Sequence, residues 1–217
     1  MSDTAYLALY FDAPLQSWGY ASKFDRRTTL AYPTRSGVTG LICAALGVDR
    51  ADTEGLRRLD TLTVNVYAFR MGGRLTDYHT VGGGYNPKTE KQKICRRASG
   101  GTGDTVQTWR EYLEGSRFGV VVSGDAALLA ELAAAVQDPK WGVWLGRKAC
   151  VPASRLYEGV FGNEEDAKAA LCRVSKAEGI VRTISEAADF AGGNDTVMDR
   201  PLDFAKRRFA PRRITVE

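Results

Sequence analysis

Apolar and polar positions along the chain switch between two periods. TLTVNVYAFR (Thr61–Arg70) alternates at period two, the spacing of a half-buried strand. YLALYFD (Tyr6–Asp12) is a short apolar and aromatic run and reads as a buried strand. GVTGLICAALG reads as a helix, with Ser36 as its expected N-cap and Gly47 as its stop. Thr53 is placed to cap a short helix over EGLRRL. LTDYHTV reads as the hairpin partner of 61–70 across a Met71-Gly72-Gly73 turn. VQTWREYL and SRFGVVVSG read as two further strands joined by a turn at Glu114–Ser116. Asp125 caps AALLAELAAAV, where Leu128, Leu129, Leu132 and Val136 form one face and Pro139 prevents continuation. NEEDAKAALCRV reads as a further helix and GIVRTISEA as a strand. The end, DRPLDFAKRRFAPRRITVE, reads as irregular and basic, closing on an edge strand.

Short strands with helices segregated to one face fit an α+β, ferredoxin-like arrangement. The length of 217 residues allows one domain, 1–217, with an apolar fraction of 44% for its core. One segment breaks the pattern. Val81–Thr105, VGGGYNPKTEKQKICRRASGGTGDT, holds six glycines, five Lys or Arg, and little that is apolar. A loop of that length inside a compact domain is usually functional or disordered.

Charge changes the picture further. The net charge is only +4, but residues 82–109 carry +3 and residues 200–217 carry +4, which leaves about −3 for the rest. Positive charge gathered in a loop and a tail fits a phosphate-bearing partner, although solvated loops and tails have the same composition. No run of about 18 apolar residues is present, and MSDTAYLALYFDAP lacks a basic leader, so neither a membrane span nor a secretion signal is expected. Cys43, Cys95, Cys150 and Cys172 lie far apart, with no CxxC and only one histidine, His79. These features predict reduced cysteines, a cytoplasmic protein, no metal and no cofactor.

Enzyme signatures are missing from the sequence. There is no GxxxxGK[ST], no GxGxxG after a strand and no GxSxG. His79, with Tyr78 and a lysine, is the one set that offers acid–base chemistry to an RNA phosphate, and a lone His in DYHTV is more often structural. Three basic elements remain. Trp18, Lys23, Arg26, Arg27 and Arg35 alternate with aromatics and lead to the helix start at Ser36, whose free N–H groups suit phosphate. The alternative is that Trp18 and Phe24 are core and the arginines are solvated. In LGRKACVP, a glycine precedes Arg147 and Lys148, which can grip phosphate or simply line an exposed turn. In KRRFAPRR, five cations, Arg207 and Arg208 among them, surround Phe209, which can stack on a base. Taken together, the three elements imply single-stranded nucleic acid.

LQSWG, RRTTLAYPTRSGVTGLICAALG, DYHTVGG, WREYL, LGRKACVP and RRFAPRR occur in the order found in family five of the CRISPR-associated proteins. The chain resembles that family, in its type I-E Cascade branch, from Tyr6 to Arg213. PTRSGVTGL and LGRKACVP are its specific motifs. The resemblance implies a ferredoxin-like, RNA-recognition-type palm with a protruding basic thumb and C-terminal accessory strands. It implies a non-catalytic subunit that holds the 5′ handle of guide RNA (crRNA), contacts the large subunit and the first backbone subunit, and meets target DNA only indirectly. The thumb would be residues 82–108, delivering Lys88, Lys91, Lys93, Arg96 and Arg97 to RNA. Relatives of type I-C process precursor RNA, so a metal-independent endoribonuclease is the rival, and a scaffold without RNA contact a third reading. Arg35 stands where the family motif leads one to expect Lys, and Ala149 where Ser is expected.

Overall fold

The computed structural model describes residues 4–22, 25–82, 85–86, 91–92, 95–96, 102–103 and 105–217, with side chains over 4–22, 25–82 and 105–217. The strands are β1 (Thr4–Asp12), β2 (Leu15–Gln16), β3 (Trp18–Gly19), β4 (Arg26–Arg27), β5 (Thr29–Leu30), β6 (Thr63–Arg70) and β7 (Arg74–Gly82). Four two-residue pieces follow, β8 (Tyr85–Asn86), β9 (Lys91–Gln92), β10 (Cys95–Arg96) and β11 (Thr102–Gly103). Then come β12 (Thr105–Glu114), β13 (Arg117–Asp125), β14 (Tyr157–Phe161), β15 (Arg182–Glu186), β16 (Asp195–Asp203) and β17 (Arg208–Val216). The helices are α1 (Arg35–Leu46), α2 (Thr53–Asp60), α3 (Ala126–Gln137) and α4 (Glu164–Ser175).

The main sheet runs β14-β1-β13-β6-β15-β17-β16, with every neighbouring pair antiparallel. Leu7, Leu9 and Phe11 of β1 point to one face, where α1, α2 and α3 close the larger core with Ile42, Leu129 and Leu132. Ala8 and Tyr10 point to the other face, which α4 covers with Ala167 and Leu171 beside Tyr67 and Phe69. Both β1 faces are buried, so its sequence is apolar throughout rather than alternating. The helices are therefore not segregated to one face. α4 occupies the side of the sheet that an RNA-recognition fold keeps open for stacked bases.

Local chemistry explains several boundaries and shifts others. Thr34 caps α1, its Oγ1 accepting from the Gly37 N–H at 3.1 Å, so Ser36 sits inside the first turn. Asp52 rather than Thr53 caps α2, accepting from the N–H groups of Glu54 and Gly55. Gly47 ends α1 at φ 74, and Asp125 caps α3, both as the sequence indicates.

The expected hairpins pair differently. β6 binds β13 and β15, whereas β7 leaves the main sheet and pairs with β12 over Arg74–Gly82 and Thr105–Glu114. Alternation identified these strands but carries no information on their partners. The C-terminal segment is not irregular: β16 and β17 form a hairpin, β17 is internal and β16 is the edge.

Candidate nucleic-acid interface

The first turn of α1, the chain before β4, the Gly146–Arg147 turn and the β16–β17 hairpin converge on one open cleft. Its volume is about 260 Å³, and its lining includes Gly19, Ser22, Arg27, Ser36, Arg147, Phe204 and Phe209. Each of the three basic elements of the sequence, spread from residue 27 to residue 209, thus contributes to this lining, through Arg27 and Ser36, Arg147, and Phe209. Phe204 and Phe209 meet edge-on at 6.3 Å, which fixes Phe209 at the rim with 36% of its surface exposed. Arg207 and Arg208 are exposed beside it, and Arg27 is half-buried. Lys148 is exposed, its ammonium 5.7 Å from the Trp144 ring.

Several candidate residues hold the site together instead of facing a ligand. Trp18 is fully buried, stacked on Phe11 at 5.4 Å, and its Nε1–H donates to Gln16 at 3.2 Å. A fully buried indole offers no face to a base, so the alternative reading of Trp18 as core is the correct one. Arg35 is also buried, its guanidinium ion-paired with Glu186 and donating to the Asp60 carbonyl at 2.9 Å. Its cation is neutralised inside the protein and does not reach RNA. Arg147 lines the cleft, yet it donates to the main-chain carbonyls of Glu111 at 3.0 Å and Arg27 at 2.9 Å and lies 4.7 Å over Tyr112. It pins the turn to β12 and leaves only part of its donor set for a ligand. Lys23, Lys88, Lys93 and Arg97, and the side chains of Lys91 and Arg96, lie outside the described residues.

The α1 terminus is less open to anions than its sequence implies. The Arg35 N–H donates to Asp199 at 2.7 Å, Gly37 to Thr34 Oγ1, and Val38 to the Thr34 carbonyl at 3.0 Å. That leaves the Ser36 N–H without a protein partner among the described residues. Asp199 is 2% exposed and also accepts from Arg212 Nε at 2.6 Å and Nη2 at 3.1 Å. A buried carboxylate at the positive end of a helix partly satisfies its dipole. Burial acts against the Arg212 charge, but its hydrogen bonds to Asp199 and the carboxylates of Asp199 and Glu186 hold its pKa above the ordinary value. Two of the five cations in KRRFAPRR are thus structural: Arg212, and Arg213, which donates to the carbonyls of Gly192 at 2.9 Å and Gly193 at 2.6 Å.

A second cluster sits on the β7–β12 ladder. Tyr78 and Trp109 are paired across it with ring centroids 5.3 Å apart, and the Arg26 guanidinium lies 4.9 Å from the Trp109 ring. His79 Nδ1 lies 3.6 Å from Asp77. Among the described residues no group of His, Cys, Asp and Glu has the geometry to hold a metal ion, and no helix is long and apolar enough to cross a membrane.

The family model for CRISPR-associated protein (Cas_Cas5) matches residues 6–215, nearly the whole chain. The chain belongs to the Cas5 family. It is 31% identical to the CRISPR system Cascade subunit CasD of Escherichia coli (strain K12), over 96% of this chain and 93% of that protein. Among solved structures, it superposes on a chain of a CRISPR RNA-guided surveillance complex with a TM-score of 0.78 and 31% identity, covering 98% of this chain and 89% of that one. A structure described as that of a Cas protein gives 0.69 and 29%, covering 98% and 93%.

In this Cas5 chain the two specific motifs are packing motifs first. A Cβ at Gly37 would lie 2.7 Å from the Trp18 ring, so PTRSGVTGL needs glycine for α1 to lie against the indole. At Gly146 (φ +101) a Cβ would lie 1.7 Å from the Ser17 carbonyl oxygen, so LGRKACVP needs glycine for both its backbone and its fit. Arg35, in place of the expected Lys, uses the forked donor geometry of guanidinium inside the protein. Ala149 is exposed. Sequence reading missed Asp199, Glu186 and Phe204. The only signal for Asp199 is in β16, where Val197, Asp199, Pro201 and Asp203 alternate inward, two acids at buried positions. Nothing local marks Glu186.

Proposed function

We propose that this chain is the guide-RNA-binding subunit of a Cascade-type surveillance complex and that the cleft holds the 5′ handle of the guide. The observation that carries this reading is the convergence of Arg27, Ser36, Arg147 and Phe209 on one open cleft, in a chain 31% identical to a Cascade subunit. Single-stranded RNA is typically recognised by stacking splayed bases on aromatics while cations follow the backbone.

The same reading covers the architecture. β1-α1-β6-β13-α3-β14 in spatial order β14-β1-β13-β6 supports the assignment of a ferredoxin-like palm, whose connectivity is βαββαβ. The β7–β12 ladder, inserted between β6 and β13, stands at the base of the thumb that this reading assigns to residues 82–108, most of which lie outside the described residues. The large subunit and first backbone subunit are the partners this assignment names, with target DNA met only through the assembly.

We read the site as non-catalytic. Tyr78 and His79 are consecutive strand residues and project to opposite faces, so they do not converge on one phosphate. Labelled precursor repeat RNA incubated with the protein in EDTA stays whole on this reading. Discrete products that vanish in His79→Ala would replace it with the ribonuclease.

RNA retention itself is tested by salt dependence. Each phosphate contact contributes about 0.7 to the log–log slope for a single strand. Arg27→Ala, Lys148→Ala and Arg207→Ala each lower that slope and the affinity. A triple variant with wild-type slope and affinity would show that these cations face solvent or protein.

A further inference from the structure

The ladder presents a second face, away from the cleft. Trp109 is paired with Tyr78 of β7 on one side and with Arg26 of β4 on the other, so the three side chains form a row across three strands. Strands are about 4.8 Å apart, which gives the row a length of roughly 10 Å. The next positions, Arg27, Arg110 and Asp77, turn to the opposite face together with Tyr112, which Arg147 covers beside the cleft.

Each member of the row is arranged for stacking. Tyr78 keeps 52% of its surface exposed, Trp109 is half-buried behind it, and Arg26 is exposed. The Arg26 guanidinium lies 4.9 Å over the Trp109 ring, and among the described residues it has neither an ion-pair nor a hydrogen-bond partner. On the same face the flanking positions of the ladder are Thr76, Thr80, Gln107 and Glu111. These are hydrogen-bonding side chains, and none is aliphatic. A ring bordered by hydroxyls, an amide, a free guanidinium and a Glu111 carboxylate already paired with Arg74 suits a flat ligand with polar edges.

We propose that the Tyr78–Trp109–Arg26 row is a nucleobase platform, distinct from the phosphate-binding cleft. A base of a single strand lies against the exposed Tyr78 ring, with Trp109 as rigid backing and Arg26 donating to a base edge or to the adjoining phosphate. The platform rests on the reading that this chain binds nucleic acid, and adds to it a site for a base on the far side of the ladder. The base comes either from the guide or from a DNA strand, since both present the same π-face.

The test uses the full chain and three labelled oligomers of one length: single-stranded RNA, the matching DNA, and an abasic strand. Tyr78→Ala removes the open ring, and Tyr78→Phe keeps it. Stacking on an aromatic changes affinity by about tenfold or more per base. Tyr78→Ala is therefore expected to weaken RNA binding about tenfold with an unchanged salt slope, to leave abasic binding unaltered, and to be rescued by Tyr78→Phe. A loss confined to RNA assigns the platform to guide; an equal loss on DNA assigns it to single strands generally. Wild-type RNA affinity in Tyr78→Ala overturns the platform, as does an equal loss on the abasic strand. So does loss of a partner subunit from the purified assembly with RNA affinity intact. If the cleft variants lower the salt slope while Tyr78→Ala changes nothing, only the platform falls. If the wild-type chain binds none of the oligomers, both readings fall.

Discussion

Replacing Asp199 by Ala should cost about 4 kcal/mol of folding stability, and the structure shows why. The carboxylate is 2% exposed and accepts three hydrogen bonds, from Arg212 Nε, Arg212 Nη2 and the Arg35 N–H. Without it, Arg212 is a 5% exposed cation whose nearest remaining carboxylate is Glu186 at 3.7 Å, and its Nη1 already has no hydrogen-bond partner. Breaking a buried ion pair from one side typically costs 3–5 kcal/mol, because the remaining charge stays buried. The orphaned N–H at the α1 terminus adds to the loss. For a chain of this length each kcal/mol moves Tm by roughly 2–4 °C, so a fall of about 8–16 °C is expected. Urea titration and calorimetry measure it. Adding Arg212→Met to Asp199→Ala removes the stranded charge and should recover about half of the loss. Asp199→Ala within 1 kcal/mol of wild type, or a double variant no better than the single one, would refute the claim that this network joins the C-terminal hairpin to α1.

Gly146→Ala should be among the most damaging single changes, costing about 3 kcal/mol or more, because its Cβ would lie 1.7 Å from the Ser17 carbonyl oxygen at φ +101; thermal unfolding checks it. Burial pushes the Cys43 thiol up to about 11, aided by Asp52, and burial also raises Cys150, so at pH 8 a thiol reagent should label Cys172 well before either, as read by peptide mass mapping. The hydrogen bond from Arg200 holds the Asp60 carboxyl below its usual range. Stability from that pair is present above the ordinary Asp pKa of about 3.9 and is lost as pH falls through the lower folded value. Arg200→Ala should therefore cost under about 1 kcal/mol at pH 7, since the pair is partly exposed, with a difference that shrinks in urea titrations towards pH 3.

The local layer of this protein was legible in its sequence. Periodicity marks β6 and α3, an apolar run marks β1, and small capping residues mark helix starts to within a residue or two, as Thr34 and Asp52 replacing Ser36 and Thr53 illustrate. Those signals depend on neighbours a few positions apart, which the chain itself fixes. The positive elements at 26–27, 147–148 and 207–209 were legible too, because charge and aromatic content are compositional. What each cation does was not. Arg35, Arg212 and Arg147 look the same in sequence as Arg26 and Arg207, yet the first two are paired with acids inside the fold, and Arg147 is held by carbonyls of β12 and β4. A buried guanidinium needs a partner brought in by tertiary contact, and Glu186 reaches Arg35 across 151 positions. Strand partners were undetermined for the same reason: alternation says which side chains point inward, not which strand lies alongside. The cleft and the aromatic row are made by such pairings, so only the tertiary structure decided where they form.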